Sequence, residues 1–219
     1  MFPLTKTLTA TTPQFAPPAS GYNLPGTITD GALRSDQSFD PPNGNGNNQE
    51  DPALTPLPQA PVGTVTNFYF SSWTTRSDDR VKIDNSRGPI NIWVSGDFSN
   101  SQTAMIQLES KDYPVTFHLN GDADFLGRGI VHLAGALPAN VQIRMTRPGT
   151  TLRIGGQQAM SAHVAAAGSD VSFTGNGSAQ YHFFGRAVGR SLTVASNVRL
   201  HYDESLGPIN PLFRIGIVQ

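Results

Sequence analysis

Pro89-Ile90-Asn91-Ile92-Trp93-Val94-Ser95-Gly96-Asp97 and Pro114-Val115-Thr116-Phe117-His118-Leu119-Asn120-Gly121-Asp122 are two versions of one phrase, at an offset of 25. Each opens with Pro, alternates apolar with other residues for five positions, and closes on a Gly-Asp pair. Alternation at period two bounded by turn residues is the signature of a β-strand. A further echo lies downstream. Val171-Ser172-Phe173-Thr174-Gly175-Asn176 matches Leu192-Thr193-Val194-Ala195-Ser196-Asn197 at an offset of 21, and Ala166-Ala167-Gly168 returns as Ala187-Val188-Gly189 at the same offset. Short strands recurring at such offsets point to a solenoid in which each coil stacks on the last. The fold class expected is all-β, a right-handed single-stranded parallel β-helix. The inward positions are expected at Ile92, Val94, Phe117, Leu119, Val171, Phe173, Leu192 and Val194. A β-sandwich is the alternative. It calls for hairpins, and Asn-Gly hairpin signals are scarce after residue 62, with Asn120-Gly121 and Asn176-Gly177 the main cases.

Working outward, the same texture covers Val65–Phe70, Val81–Ile83, Ile90–Val94, Val115–Leu119, Ile130–Leu133, Val141–Met145, Leu152–Ile154, Val171–Phe173, Leu192–Val194, Val198–Tyr202 and Phe213–Val218. The last of these is expected to run along or cover an end of the solenoid, where an open strand edge needs protection. No helical period is sustained. The nearest candidate for a helix is the Ala-rich stretch from Gln157 to Ala167, closely bracketed by Gly155-Gly156 and Gly168. Before residue 62 the texture differs. Eleven of the 17 prolines lie at or before Pro61, together with the run Asn43-Gly44-Asn45-Gly46-Asn47-Asn48. Residues 1–62 therefore read as an irregular arm of polyproline character, and 63–219 as the β-helix domain. A solvated linker is the preferred reading of this arm; the alternative is an arm that wraps its own domain or docks on a neighbour, anchored by Phe2, Leu4, Phe15 and Tyr22.

Composition excludes several classes of function. The 219 residues include 15 basic and 16 acidic side chains, a net charge of −1. Such a chain has no large positive field for nucleic acid or an anionic membrane. Cys is absent, which rules out disulfides, thiolate catalysis and Cys-type zinc sites. No apolar run approaches the ~18 residues of a membrane span. The opening MFPLTKTLTATTPQF lacks the continuous apolar core of a signal peptide.

The polar candidates are few. His201, Tyr202, Asp203 and Glu204 form the densest cluster, with the chemistry for acid–base work or cation binding. The competing reading, and the one preferred, is a structural motif that closes the last coil. Alternation pairs Tyr202 with Glu204 on one face and His201 with Asp203 on the other. Asp122 and Asp124 share a face if extended, and the longer repeat stacks Asp97 near Asp122. Carboxylates so placed suit Ca²⁺ or glycosidic chemistry with a basic partner such as Arg128, although turn aspartates that bond their own backbone are far commoner. His118, His132, His163 and His182 are scattered. No H-E-x-x-H and no close His pair is present in the sequence, so no metal site is read. The aromatics Phe68, Tyr69, Phe70, Trp73 and Trp93 fit core filling, with sugar stacking as the alternative. The glycines around Arg128 do not form a phosphate loop, Ser205 lacks a nucleophile-elbow setting, and Asn176-Gly177-Ser178 reads as a corner turn rather than a glycosylation site. No cofactor is called for.

The end of the chain carries a resemblance. Ser191-Leu192-Thr193-Val194-Ala195-Ser196-Asn197-Val198-Arg199-Leu200-His201-Tyr202-Asp203-Glu204-Ser205-Leu206 resembles the close of the C-terminal β-helical domain of bacterial surface proteins, often found behind a pilus-assembly (PilX-like) N-terminal region. The His-Tyr-Asp-Glu-Ser-Leu hexad is its most specific part. Pro89 to Asp97 resembles another strand of that family, and the resemblance covers roughly residues 80 to 207. Ala195-Ser196 stands where the family has Ser-Gly, and the hydrophobic anchoring helix of its pilus-associated members has no counterpart here. The resemblance implies a non-enzymatic structural or adhesive module of the bacterial cell surface or extracellular space, with other surface or pilus subunits as partners. It implies no catalytic residues. Two alternatives stand beside it: a protein that binds or cleaves polysaccharide, with glycan as its ligand, and a self-assembling filament subunit.

Overall fold

In the computed structural model the described residues are 22–23, 27–28, 39–40, 61–70, 72–75, 80–100, 103–132, 137–175 and 180–202. They form a parallel β-helix. The first full coil is β4 (Thr66–Phe70), β5 (Ser72–Thr75) and β6 (Arg80–Ile83). The next is β7 (Ile90–Val94), β8 (Phe98–Asn100) and β9 (Met105–Leu108), and the third is β10 (Val115–Leu119), β11 (Ala123–Phe125) and β12 (Gly129–His132). Two-residue strands β1 (Tyr22–Asn23), β2 (Thr27–Ile28) and β3 (Phe39–Asp40) lie beside β4, β5 and β6, so the arm supplies strands to the first coil. β3 runs antiparallel to β6; among the described residues every other pairing is parallel. Parallel neighbours across a full coil leave no place for the hairpins of a sandwich.

The coils then lose a side. β13 (Val141–Met145) and β14 (Thr151–Gly156) make a coil with two strands, and β15 (Met160–Gly175) and β16 (Tyr181–Val194) each run round a corner as one long strand. β17 (Val198–Tyr202) lies on the first part of β16. The repeat shortens accordingly. Ile92 pairs with Phe117, an offset of 25, whereas Val171 pairs with Leu192, an offset of 21. The change falls at Gly156, whose φ is 120°. A Cβ there would overlap the Gly127 carbonyl oxygen of the coil beneath, so only glycine makes this turn.

Both long repeats hold in register. Residues 90–94 pair one to one with 115–119, and Val171 and Phe173 with Leu192 and Val194. The third echo does not. Ala166 pairs with Gly189 rather than Ala187, because the strand bulges between Ala166 and Asp170. The bulge is held by Gly149 N–H donating to the Gly168 carbonyl and by the buried hydroxyls of Thr150 and Ser169, 2.8 Å apart. The stretch 157–167, the nearest helix candidate, is strand over Met160–Ala167, with Ala162, Val164 and Ala166 fully buried and alternating.

The interior is a column of stacked apolar rows. Ile92, Val94, Phe117, Leu119, Val171 and Phe173 are buried as expected. Leu192 and Val194 are the exceptions, at 39% and 43% exposure. They continue the rows of Val171 and Phe173, but β17 covers only Tyr181–Gly185, so no described strand lies over them. Phe98 stacks on Phe125 at 4.4 Å and leans edge-on to Phe117, with Trp73 above. Phe68, Phe70 and Trp73 are core, as core filling requires. The strand expected over Phe213–Val218, the corner expected at Asn176-Gly177-Ser178, and Phe2, Leu4 and Phe15 lie outside the described residues.

Candidate functional site: the outward columns of the first sheet

The first sheet, the stack of β4, β7, β10 and β13 continued by the first parts of β15 and β16, has inward residues that are apolar apart from Thr66, so the alternate residues must face out. Pairing stacks them into two columns about 4.8 Å per coil. One runs Asn67, Asn91, Thr116, Gln142, His163, Arg186; the other runs Tyr69, Trp93, His118, Arg144. Several of these side chains contact one another. Asn91 Nδ2 and Trp93 Nε1 both donate to Asn67 Oδ1, at 3.1 Å each. The Trp93 and His118 rings lie parallel, 6° apart in plane, with centroids 3.6 Å apart. Arg144 donates to Gln142 Oε1 at 2.9 Å, and Arg186 donates to His163 Nε2 at 2.8 Å. The face is graded. Trp93 and His118 are buried although they point outward, Gln142, His163 and Arg186 are half-buried, and Arg144 is exposed.

Electrostatics follow the grading. Burial, aided by the Arg144 guanidinium, lowers His118 to about 4. Burial, with Arg186 and Arg144, also lowers His163. Both imidazoles are therefore neutral near pH 7, and the charge of this face resides in its arginines.

The carboxylates lie elsewhere, along the stack of β8, β11 and β14, and each is committed. Asp97 accepts from the Asp122 backbone N–H at 3.0 Å, and Asp122 accepts from the Thr151 N–H at 2.8 Å. They do stack coil on coil, but as turn ladders. Asp124 forms a bidentate pair with Arg153, so Arg153 rather than Arg128 is its basic partner. Gly121 lets this ladder close, since a Cβ there would overlap the Gly96 carbonyl. Further on, Arg190 and Ser191 both donate to Asp170, and these bonds hold its carboxyl down at about 2.

At the far end, His201 and Tyr202 belong to β17 and both are exposed; Asp203 and Glu204 lie outside the described residues, as does the side chain of His132. The histidines are not all scattered. Strand pairing brings His182 Nδ1 to 2.8 Å from His201 Nε2, a close pair that the sequence did not disclose. Their offset in sequence is 19, and the only hint was its nearness to the repeat of 21. Among the described residues, no group of three or more His, Asp or Glu assembles as a metal site. No helix among them is long and apolar enough to cross a membrane.

A family model described as Domain of unknown function (DUF7305) matches residues 38–209. No curated protein and no solved structure matches. The family match spans most of the chain, which belongs to that family.

Proposed function

We propose that this member of the DUF7305 family is a non-enzymatic structural or adhesive module of the bacterial cell surface, associated with pili or the envelope. The observation that carries the reading is the pair of outward columns, which repeat one side-chain position through successive coils on a rigid rod. A solenoid face of this kind is an extended binding surface. Its accessible part offers the guanidinium of Arg144 and the partly covered Gln142 and Arg186, which are hydrogen-bond donors suited to backbone carbonyls, carboxylates or sugar hydroxyls of a partner. The resemblance of the closing hexad to bacterial surface β-helices supplies the location. Against a hydrolytic groove stands the commitment of Asp97, Asp122 and Asp124 to coil-to-coil bonds. A polysaccharide hydrolase needs two carboxyl groups facing one bond.

Antibody labelling of intact source cells, with protease shaving as control, tests the reading. Label on the outer surface or along filaments that is lost on shaving is the expected result. Label seen only after permeabilisation overturns it.

A further inference from the structure

The histidine pair has a chemistry of its own, independent of the columns. β16 and β17 run parallel with Phe184 opposite His201 and His182 opposite Arg199, so His182 and His201 are diagonal neighbours on one face. Their planes differ by 16°, and their facing nitrogens are 2.8 Å apart. Phe184 lies parallel to the His201 ring at a centroid distance of 4.4 Å, which limits the orientations that ring can take. His182 is half-buried and His201 exposed, so the pair is reached by solvent.

We propose that His182 and His201 bind one divalent cation of the late first transition row, of the zinc or copper class. Neutral imidazole is the ligand these ions prefer. Two imidazole nitrogens on one tetrahedral ion, each at about 2.0–2.1 Å, stand about 3.3 Å apart. The pair has to open by only about half an ångström from its hydrogen-bonded separation, a change within reach of side-chain torsions at a solvent-facing site. Protons balance without a base. A neutral imidazole has one N–H and two nitrogens, and the proton now lying between Nδ1 of His182 and Nε2 of His201 moves to the outer nitrogen of its own ring. Both inner lone pairs then face the ion, and water fills the other positions. Ions that demand oxygen ligands, such as Ca²⁺ and Mg²⁺, gain nothing here. Among the described residues the charged neighbour in register is Arg199, exposed, which opposes a cation through solvent. The bound ion ties the last described strand to the coil before it.

The test is calorimetric titration of the untagged full chain with Zn²⁺ and separately with Ca²⁺. One equivalent of Zn²⁺ is expected to bind in the micromolar range, with no Ca²⁺ response. His182→Ala and His201→Ala should each weaken Zn²⁺ at least tenfold. His118→Phe should not, because that ring is enclosed against Trp93. Arg199→Ala should bind more tightly, a gain that a damaged fold cannot mimic. Should a histidine variant fail to fold, Cu²⁺ added to the wild-type chain must broaden the His182 and His201 NMR signals before those of His163. No Zn²⁺ binding up to millimolar concentration, equal affinity in all variants, or broadening elsewhere first overturns the proposal.

Discussion

At the scale of single residues, outward-facing groups buried by their neighbours matter most. His118 is held at about 4, against an ordinary value of 6.5, by burial and then by Arg144. Its folded value is depressed, so the unfolded chain binds more protons between about pH 6.5 and 4. Stability is full above pH 6.5 and falls as the pH drops through that window, by on the order of 3 kcal/mol at most. His163 is shifted in the same direction and adds the same sign. Thermal melts at pH 7 and pH 5 should show a lower midpoint at pH 5, and His118→Phe should shrink the difference. An equal difference in both proteins would place the titrating group elsewhere. Tyr181 is the opposite case. Its hydroxyl is buried and has no hydrogen-bond partner among the described residues, and burial pushes its ionisation well up. An unsatisfied buried hydroxyl costs about 1–3 kcal/mol. Tyr181→Phe is accordingly expected to raise stability by about 1 kcal/mol, read from urea unfolding at constant slope; a loss of that size would show that the hydroxyl finds a partner.

At the scale of elements, the turns between coils decide the register. Asn85, fully buried, donates to the Ser110 and Tyr113 carbonyls and accepts from the Ser110 N–H, so one side chain joins two successive turns. Asn85→Ala strands three backbone groups and should cost about 2–4 kcal/mol. Asn85→Asp should cost at least as much, since an acceptor then faces two carbonyls; a tolerated Asp at neutral pH would contradict this bonding. The same element scale explains what the sequence disclosed. Strands such as Ile90–Val94 were legible because both flanks carry turn residues and every second residue is large and apolar. Met105–Leu108 was not, because Ile106, Gln107 and Leu108 are all buried and period two is lost. Phe98–Asn100 and Ala123–Phe125 were missed because three residues make too little pattern. The first half of β15 hid behind alanine, which occupies inward Ala162 and Ala166 and outward Ala165 alike, while Val171–Phe173 in its second half was legible. The stacking of Asp97 on Asp122 was legible from the longer repeat. The His182–His201 pair was not, since it depends on a local register that departs from the shorter one.

At the scale of the whole molecule, each coil touches only its neighbours, so stability is a sum of coil and interface contributions rather than a property of one central core. β10 is paired on both sides, to β7 and β13. β17 is paired to β16 alone among the described residues, and next to it Leu192 and Val194 are left partly open. Opening β17 breaks one ladder and exposes one buried apolar residue, Val198; opening β10 breaks two ladders and exposes Val115, Phe117 and Leu119. The free energy of local opening should therefore fall from the middle coils to the last one. Amide hydrogen exchange read by mass spectrometry is the direct measure. Peptides covering residues 115–119 and 141–145 should exchange slowest, those covering 181–185 faster, and those covering 198–202 fastest. If residues 198–202 exchange as slowly as 115–119, a further layer covers the last coil, and the rod ends beyond Tyr202. The same gradient bears on the adhesive role proposed above. Arg144 projects from β13, in the middle of the rod where slow exchange is expected, and a scaffold that is rigid there would lower the cost of ordering a partner's contact surface.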